Sequence, residues 1–177
     1  MPLEIERKYL IKEGKSEYAT EAFYRLYPSI DIIEKNVLKN GDIIRQGYLP
    51  IKKGMELAER IGLLVDFIVD EARLRDKAGI LFFTLKGKGD ASRDEIEHQI
   101  AKDLFNEYWP STRGKRVEKV RLSEPYHGYI LEIDVFTDRI LILAEIEAPT
   151  INEVTELKSV GFDVTTDKKY KNKNLAK

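Results

Sequence analysis

The sequence MPLEIERKYL at residues 1–10 places Glu4, Glu6 and Lys8 at alternate positions. In a β-strand alternate residues share a face, so the three charged side chains would point one way and Ile5 the other. Two carboxylates can hold a hard cation, and an ammonium group beside them can meet an anion. A solvated face of mixed charge on an ordinary sheet is the competing interpretation. This stretch alone leaves both interpretations open.

The composition predicts one folded domain and limits the kinds of site it can contain. The chain has 177 residues, 42% of them hydrophobic, which suffices for one domain with a core. Its 30 basic and 31 acidic residues give a net charge of −1, so nucleic-acid binding is not expected. Cysteine is absent and there are 2 histidines, which excludes a thiolate site and disfavours zinc. A metal site would therefore use oxygen ligands, as Mg²⁺ and Mn²⁺ do.

The N-terminus and the apolar runs predict a cytoplasmic protein that does not enter a membrane. Acidic and basic residues occur within the first few positions, which is unlike a signal peptide. The longest apolar run, residues 61–69, is interrupted by Asp66 and is far shorter than the roughly 20 residues that cross a bilayer.

Period-two alternation with a charged face recurs along the chain, which predicts an antiparallel, strand-dominated α+β domain. The charges come in blocks of one sign, whereas surfaces that serve solubility mix the two signs. Like-sign neighbours repel each other, so they make sense where an opposite charge is supplied from outside. A closed barrel with a polar lumen would place such faces inside. Besides the opening strand, the alternating sets are Glu71/Arg73/Arg75, Thr84/Lys86/Lys88, Arg93/Glu95/Glu97, Lys119/Arg121, Glu132/Asp134 and Glu145/Glu147.

Other segments predict helices and turns around these strands. Neither a repeat nor a linker divides the chain, so residues 1–177 are predicted to be one domain. Helices are predicted for residues 16–26, capped by Ser16, for 55–65, for 100–108, and from the Thr150/Glu153 capping box to near Gly161. Asn40-Gly41 is typical of a hairpin turn and follows residues 30–38.

The ordered motifs resemble those of the CYTH superfamily, also named the triphosphate tunnel metalloenzymes. A lone Glu-x-Glu-x-Lys is a weak signal, but the matches follow the family order over nearly the whole chain, from Glu4 to Ala176. They are Glu4-x-Glu6-x-Lys8, Gln46-Gly47-Tyr48-Leu49, Arg73-x-Arg75, Thr84-x-Lys86-Gly87, Arg93-x-Glu95-x-Glu97, Lys119-x-Arg121, Glu132-Ile133-Asp134, Glu145-x-Glu147 and the ending around Asp167-x-Lys169-Tyr170-x-Asn172.

The resemblance implies a closed eight-stranded antiparallel β-barrel with flanking helices, whose tunnel binds a triphosphate with Mg²⁺ or Mn²⁺. It assigns phosphate contacts to Lys8, Arg73, Arg75, Lys86, Lys119, Arg121 and Lys169. It assigns metal binding to Glu4, Glu6, Asp134, Glu145 and Glu147, with Asp134 acting directly or through water, and catalytic roles to Glu4, Glu6 and Lys8. The competing interpretations are exposed strand cations and, for the acids, internal salt bridges to the basic pairs. Glu97 and Glu132 are placed as neutralisers of an arginine or as further acids of the site.

Two segments depart from the family pattern. The chain between Gln46 and Arg73 is longer than expected, which predicts a helical insertion around residues 50–68. Near the end, Lys169 replaces an expected arginine, which keeps the charge and loses a bidentate fork. A C-terminal helix around residues 167–177 would bring Lys169 to the tunnel, unless its lysines form a solvated face.

The function expected from this resemblance is metal-dependent hydrolysis of a triphosphate, with inorganic tripolyphosphate yielding pyrophosphate and phosphate. Thiamine triphosphatase and class IV adenylyl cyclase are alternatives on the same scaffold, and a non-catalytic polyphosphate-binding module is an alternative of another class. The expected partner is a small molecule that contains a triphosphate, and a homodimer is a further expectation. The sequence does not identify the group attached to the triphosphate, the metal ion or the oligomeric state.

Overall fold

One antiparallel sheet of ten strands dominates this computed structural model, which describes residues 3–89 and 91–177, with the side chains of residues 3, 4, 154 and 155 left outside the description. The strands are β1 (Leu3–Glu13), β2 (Ser16–Glu17), β3 (Asp42–Leu49), β4 (Glu71–Lys77), β5 (Ile80–Lys86), β6 (Ser92–Gln99), β7 (Arg116–Tyr126), β8 (Tyr129–Phe136), β9 (Leu141–Glu147) and β10 (Phe162–Asp163).

Eight of these strands are hydrogen-bonded in a ring, in the order β1-β6-β5-β4-β3-β7-β8-β9. The ring returns to its start because β9 pairs with β1, with Glu6 opposite Glu147 and Lys8 opposite Glu145. The two-residue strands β2 and β10 pair with β1 outside the ring. The antiparallel α+β class predicted from the alternation is therefore confirmed.

Six α-helices and two 3-10 turns accompany the strands in the described part of the chain. A 3-10 turn at Trp109–Thr112 follows α4, and another at Lys168–Tyr170 precedes α6. The helices are α1 (Glu21–Leu26), α2 (Ile30–Asn40), α3 (Ile51–Arg60), α4 (Lys102–Tyr108), α5 (Ile151–Glu156) and α6 (Asn172–Leu175).

Helix α2 corrects the prediction of a hairpin at Asn40-Gly41. The Ser29 hydroxyl accepts a hydrogen bond from the Ile32 backbone N–H at 3.2 Å, which caps the helix. Ile33 and Val37 are four residues apart and buried, so the apolar spacing of this segment suits a helix. Gly41 follows as the residue at which the helix ends.

The other helices lie near their predicted positions with different bounds. Residues 16 and 17 pair with β1, so the first helix begins only at Glu21. The expected helix at 55–65 is α3, which begins directly after Pro50. The Thr150 capping box is confirmed, because its hydroxyl accepts from the Glu153 N–H at 3.2 Å, but α5 ends at Glu156. The single C-terminal helix predicted for residues 167–177 is instead a 3-10 turn followed by the short α6.

Two apolar clusters pack the helices against strand faces that carry apolar side chains. Ile33 and Val37 of α2 lie in a cluster with Leu131 and Ile133 of β8. Leu57 of α3 lies in a second cluster with strands β3 to β5 and α4. Because successive strand residues point to opposite faces, the charged residues that alternate with these apolar ones face the interior of the ring.

A third apolar cluster occupies the same strand faces as the charges. Leu10 lies two residues after Lys8 and Phe136 lies two residues after Asp134, so each pair shares a face. Leu10 and Phe136 cluster with Tyr170 and Leu175 of the C-terminal segment. That segment therefore covers one end of the ring interior with apolar side chains.

Among residues 3–89 and 91–177, the helices all fall short of the length and apolarity that crossing a membrane requires.

Candidate active site

A cavity of about 220 Å³ lies inside the ring and is lined almost entirely by polar and charged side chains. Every strand of the ring contributes to it, because the charged half of each alternating pattern faces inward. Six of the seven predicted phosphate-binding residues line it: Lys8, Arg73, Arg75, Lys86, Lys119 and Arg121. Three predicted metal ligands also line it: Glu6, Glu145 and Glu147.

On β1 and β9, acidic and basic side chains face each other across the strand pair. Lys8 Nζ lies 3.5 Å from Glu145 Oε1 and donates a hydrogen bond to the Tyr170 carbonyl at 3.1 Å. Burial disfavours the ammonium charge, yet Glu145 and Glu6 raise the pKa of Lys8 above its usual value. Lys8 therefore stays protonated within a mostly acidic wall.

Strands β7 and β8 hold the most tightly paired charges of the cavity wall. The carboxylate of Asp134 accepts hydrogen bonds from Lys119 Nζ at 2.7 Å and from Arg121 Nε at 2.6 Å. Burial opposes the charge of Asp134, but Arg121 and Lys119 lower the pKa of the carboxylate below its usual range. Burial, and then repulsion by Arg121, lower the pKa of Lys119 to about 8. In these contacts Asp134 acts as a counter-ion, and its predicted metal role stays a prediction.

Arg121 joins this cluster to β9. Its Nη1 lies 2.7 Å from Glu132 Oε2, and its Nη2 lies 3.5 Å from Glu145 Oε2. Although burial opposes the charge of Glu145, Lys8 and Arg121 bring the pKa of that carboxylate well below its usual range. Glu145 is therefore ionised across the physiological pH range and available to a cation.

Strand β4 carries two arginines with unused hydrogen-bonding capacity, Arg73 and Arg75, which contact residues of β5 and β6. Arg75 Nη2 donates to Glu97 at 3.1 Å, and Arg73 Nη2 lies 3.5 Å from the same carboxylate. In the described part of the chain, the Nε atoms of both arginines are buried without a hydrogen-bond partner. Burial, and then repulsion by Arg73, lower the pKa of Arg75 to about 10. The lowered pKa of Arg75 indicates locally uncompensated positive charge, which an anion in the cavity would stabilise.

Several cavity residues were not assigned a role from the sequence, although their strand positions contain the signal. Glu71 lies on the same face of β4 as Arg73, and its Oε2 lies 3.4 Å from Arg93 Nη1. Lys86 Nζ lies 3.8 Å from Glu95 Oε2. Strand parity had already grouped Glu71, Arg93 and Glu95 with residues of the cavity, but no role was assigned to these three. The polar pair Gln46 and Tyr48, whose side chains share a hydrogen bond of 2.8 Å, also follows this rule on β3.

The C-terminal segment reaches the cavity through other residues than the sequence predicted. Lys169 does not line the cavity; its Nζ lies 2.9 Å from Glu13, and its side chain is 60% exposed. Lys171 and Asn172 line the cavity instead, and Asn172 Oδ1 accepts a hydrogen bond from Lys119 Nζ at 3.2 Å. No strand period governs this irregular segment, so its inward residues could not be read from the sequence.

The acidic wall fits a hard cation in chemistry but is not closed into a metal cage by the described side chains. Glu6 faces Glu147 across β1 and β9, and both line the cavity with Glu145. Carboxylates directly opposite each other on a sheet repel. Mg²⁺ and Mn²⁺ prefer carboxylate oxygens as ligands, so such an ion would offset this repulsion. Among side chains that the structure describes, no three acids or histidines are grouped to hold an ion. Glu4, the remaining predicted ligand, has its side chain outside the described set.

Comparison with known proteins finds relatives of one activity. The chain is 40% identical over 112 residues to an inorganic triphosphatase of Nitrosomonas europaea, covering 60% of this chain and 74% of the relative. It is 31% identical over 159 residues to an inorganic triphosphatase of Acetivibrio thermocellus, covering 82% of this chain and 92% of the relative. No protein-family model matches the chain.

Solved structures share the fold. The crystal structure of the inorganic triphosphatase NE1496 superposes with a TM-score of 0.54 at 31% identity, covering 97% of this chain and 96% of the other. A structure from Bacillus halodurans, provisionally named an adenylate cyclase, gives a TM-score of 0.52 over 88% of this chain and 87% of the other. At 20% identity, that second likeness concerns the fold alone.

Proposed function

The chain belongs to the inorganic triphosphatase family of the triphosphate tunnel metalloenzymes, and on this premise we propose that it hydrolyses inorganic tripolyphosphate to pyrophosphate and phosphate. The ring of eight strands is, in this proposal, a closed barrel, and the cavity within it is the tunnel in which the triphosphate binds. Two relatives named inorganic triphosphatases, matched over 74% and 92% of their lengths, support the assignment.

The observation that carries the proposal is the pair of buried, unpartnered Nε atoms of Arg73 and Arg75 inside a cavity lined by further cations. A buried donor without a partner costs about 1–3 kcal/mol, and a charged donor costs more. Phosphate oxygens are the natural acceptors for guanidinium groups, because the planar fork matches their spacing. A ligand rich in such oxygens would accept hydrogen bonds from the guanidinium groups of both arginines, which line the cavity.

The charges of the cavity suit a short polyanion. Each pair of opposite unit charges about 4 Å apart gains roughly 4 kcal/mol of gross Coulomb energy at an effective dielectric constant of about 20. Desolvation offsets much of this gain. Six lysines and arginines from four strands surround the space, so successive phosphoryl groups would each meet at least one cation: Lys8, Arg73, Arg75, Lys86, Lys119 and Arg121.

A divalent cation, Mg²⁺ or Mn²⁺, completes the proposed site. Glu6, Glu145 and Glu147 would hold it, with Glu4 as the fourth carboxylate predicted from the sequence. When bound, such an ion neutralises charge on the phosphoryl oxygens. Phosphoryl transfer needs little covalent chemistry from the protein, so positioning and charge stabilisation by the cavity would supply most of the catalysis.

The acids and Lys8 on β1 are the proposed catalytic residues. A water molecule beside the terminal phosphoryl group would pass a proton to the carboxylate of Glu6 or Glu4 as it attacks. Lys8, kept protonated by its acidic neighbours, would stabilise charge on the phosphoryl oxygens during that step. The arginines of β4 would hold the phosphoryl group in line for attack.

The alternatives share the tunnel and differ in what is attached to the triphosphate. A cyclase must hold an adenine ring and a ribose, whereas the described cavity lining is almost entirely charged, with Tyr48 as its aromatic residue. Thiamine triphosphatase has the same difficulty. A non-catalytic polyphosphate-binding module would not need several carboxylates within the cavity. These observations favour the inorganic substrate.

The test is to incubate the purified chain with Mg²⁺ or Mn²⁺ and, separately, tripolyphosphate, thiamine triphosphate and ATP. Phosphate release from tripolyphosphate that stops on EDTA addition is the expected result. Cyclic AMP and pyrophosphate from ATP would favour the cyclase. Tight tripolyphosphate binding without turnover under either metal would favour the binding module. We also propose cytoplasmic location, no nucleic-acid or membrane partner, and a homodimer, which ultracentrifugation tests directly.

A further inference from the structure

Glu97 lies where the two arginines of β4 meet β5 and β6. Its Oε2 accepts a hydrogen bond from the Thr84 hydroxyl at 2.8 Å. Both of its oxygens lie 3.1 Å from Arg75 Nη2, and its Oε2 lies 3.5 Å from Arg73 Nη2. One carboxylate, anchored on β5, therefore ties terminal nitrogens of both guanidinium groups to one place.

These contacts engage one part of each guanidinium group and leave another unused. Arg73 Nε and Arg75 Nε are buried without a hydrogen-bond partner in the described part of the chain. Arg75 is restrained further, because its Cζ lies 5.4 Å from the centroid of the Phe82 ring. The two arginines are thus fixed by neighbours that do not satisfy their Nε donors.

We propose that Glu97 is a positioning residue that holds Arg73 and Arg75 side by side, so that their guanidinium groups together bind one phosphoryl group in the cavity that both residues line. The inference rests on the proposed function, since it takes the ligand to be a triphosphate. It also separates two uses of acids in one cavity. Glu97 acts through the arginines, whereas Glu6, Glu145 and Glu147 face a cation.

The direction of the effect distinguishes positioning from simple electrostatics. Removing a carboxylate makes the cavity more positive, so Coulomb attraction alone predicts tighter binding of a polyanion. Releasing the two guanidinium groups from a fixed arrangement predicts weaker binding, because their side-chain entropy must then be lost when the ligand binds. The two effects have opposite signs for Glu97→Gln, which keeps the size of the side chain and removes its charge.

The test is the dissociation constant for tripolyphosphate, measured by titration calorimetry in EDTA so that no turnover occurs. Glu97→Gln should weaken binding about tenfold, the effect of one charge-assisted contact. The matched control is Asp76→Asn, on the outward face of β4, whose carboxylate lies 3.0 Å from Arg45. That control should leave the constant unchanged. Thr84→Val, which frees Glu97 from β5 without changing charge, should weaken binding by about fivefold.

A double-mutant cycle tests whether Glu97 acts through an arginine. Arg75→Lys removes one of the two guanidinium groups that Glu97 holds, so Glu97→Gln should cost less in that background than in the wild type. The positioning role would be overturned if Glu97→Gln and Thr84→Val bound tripolyphosphate as tightly as the wild type or more tightly. It would also be overturned if the losses caused by Glu97→Gln and Arg75→Lys simply added. In either case, binding by the wild type would still uphold the proposed function. If wild-type protein neither bound tripolyphosphate in EDTA nor hydrolysed it with Mg²⁺ or Mn²⁺, the proposed function itself would fail. Thermal unfolding midpoints confirm that each variant is folded before binding is compared.

Discussion

Arg121 donates two hydrogen bonds to Asp134, from Nε to Oδ1 at 2.6 Å and from Nη2 to Oδ2 at 2.8 Å. The side chains of Arg121 and Asp134 are 8% and 1% exposed. Lys119 Nζ shares Oδ2 at 2.7 Å. Two buried cations thus depend on one buried carboxylate. Burying charges costs free energy, which such a cluster recovers only while every member keeps its partner.

Asp134→Asn should therefore destabilise the fold strongly. Loss of the carboxylate leaves Lys119 and Arg121 buried without their main counter-ion, which costs about 3–5 kcal/mol of unfolding free energy. Urea unfolding measures this directly. The control is Asp138→Asn, which breaks a partly exposed pair with Arg139 at 2.8 Å and should cost about 0–1 kcal/mol. Equal losses of unfolding free energy in the two variants would show that the buried cluster does not depend on Asp134.

The lowered pKa of Lys119 predicts a loss of phosphate affinity in alkali. The ammonium loses its proton as the pH rises through about 8, so tripolyphosphate binding by the free protein should weaken above that pH. Lys119→Arg remains charged and should bind with little dependence on pH between about 7 and 9. Because both proteins meet the same ligand, its own titration cancels. An identical alkaline decline in the two would contradict the role of Lys119.

The C-terminal segment should act through Lys171 and not through Lys169. Lys171 lines the cavity, whereas Lys169 pairs with Glu13 outside it. Lys171→Ala should raise the KM for tripolyphosphate about tenfold, as expected for one charged contact. Lys169→Ala removes an exposed pair and should change KM less than about twofold. The reverse ranking in steady-state kinetics would mean that the segment moves when substrate binds.

Gly54 should tolerate no side chain, because α3 packs closely on β4 there. A Cβ at Gly54 would lie 2.4 Å from the Ala72 Cβ, next to Arg73. Gly54→Ala should therefore destabilise the protein by about 1–3 kcal/mol despite the better helix propensity of alanine. Lys53→Ala, on the exposed face of α3, serves as the comparison in the same denaturation series. Stabilisation by Gly54→Ala would show that α3 can shift away from the strand.

Strand parity made the charged cavity predictable, and its success has a physical cause. Glu71, Arg73 and Arg75 share a face because the period of a strand is two, and the ring of strands brings such faces together. Parity also applies to Glu95 and Gln46, which belong to the motifs named from the sequence but were assigned no role. The C-terminal segment has no fixed period, because it is broken into short turns. Lys169 was therefore predicted to contact phosphate, whereas Lys171 is the lysine that lines the cavity.

Pairing inside the cavity depends on which strands are neighbours and on their register, neither of which the alternation along a single strand gives. The sequence placed Asp134 among possible metal ligands, but the register of β7 and β8 sets it opposite Arg121. Likewise, α2 was mistaken for a strand and turn, because its run of isoleucines suits either structure until Ser29 caps it and the ring buries one helical face.

In the proposed tunnel, the apolar cluster around Leu10, Phe136, Tyr170 and Leu175 covers one end of the passage. A linear phosphate chain that enters a passage closed at one end can advance only to a fixed depth. The position of the bond presented to the catalytic acids is then counted from the leading end of the chain. The depth of the passage would thus set the length of phosphate chain that fits. Both products would have to leave through the same open end by which the substrate entered.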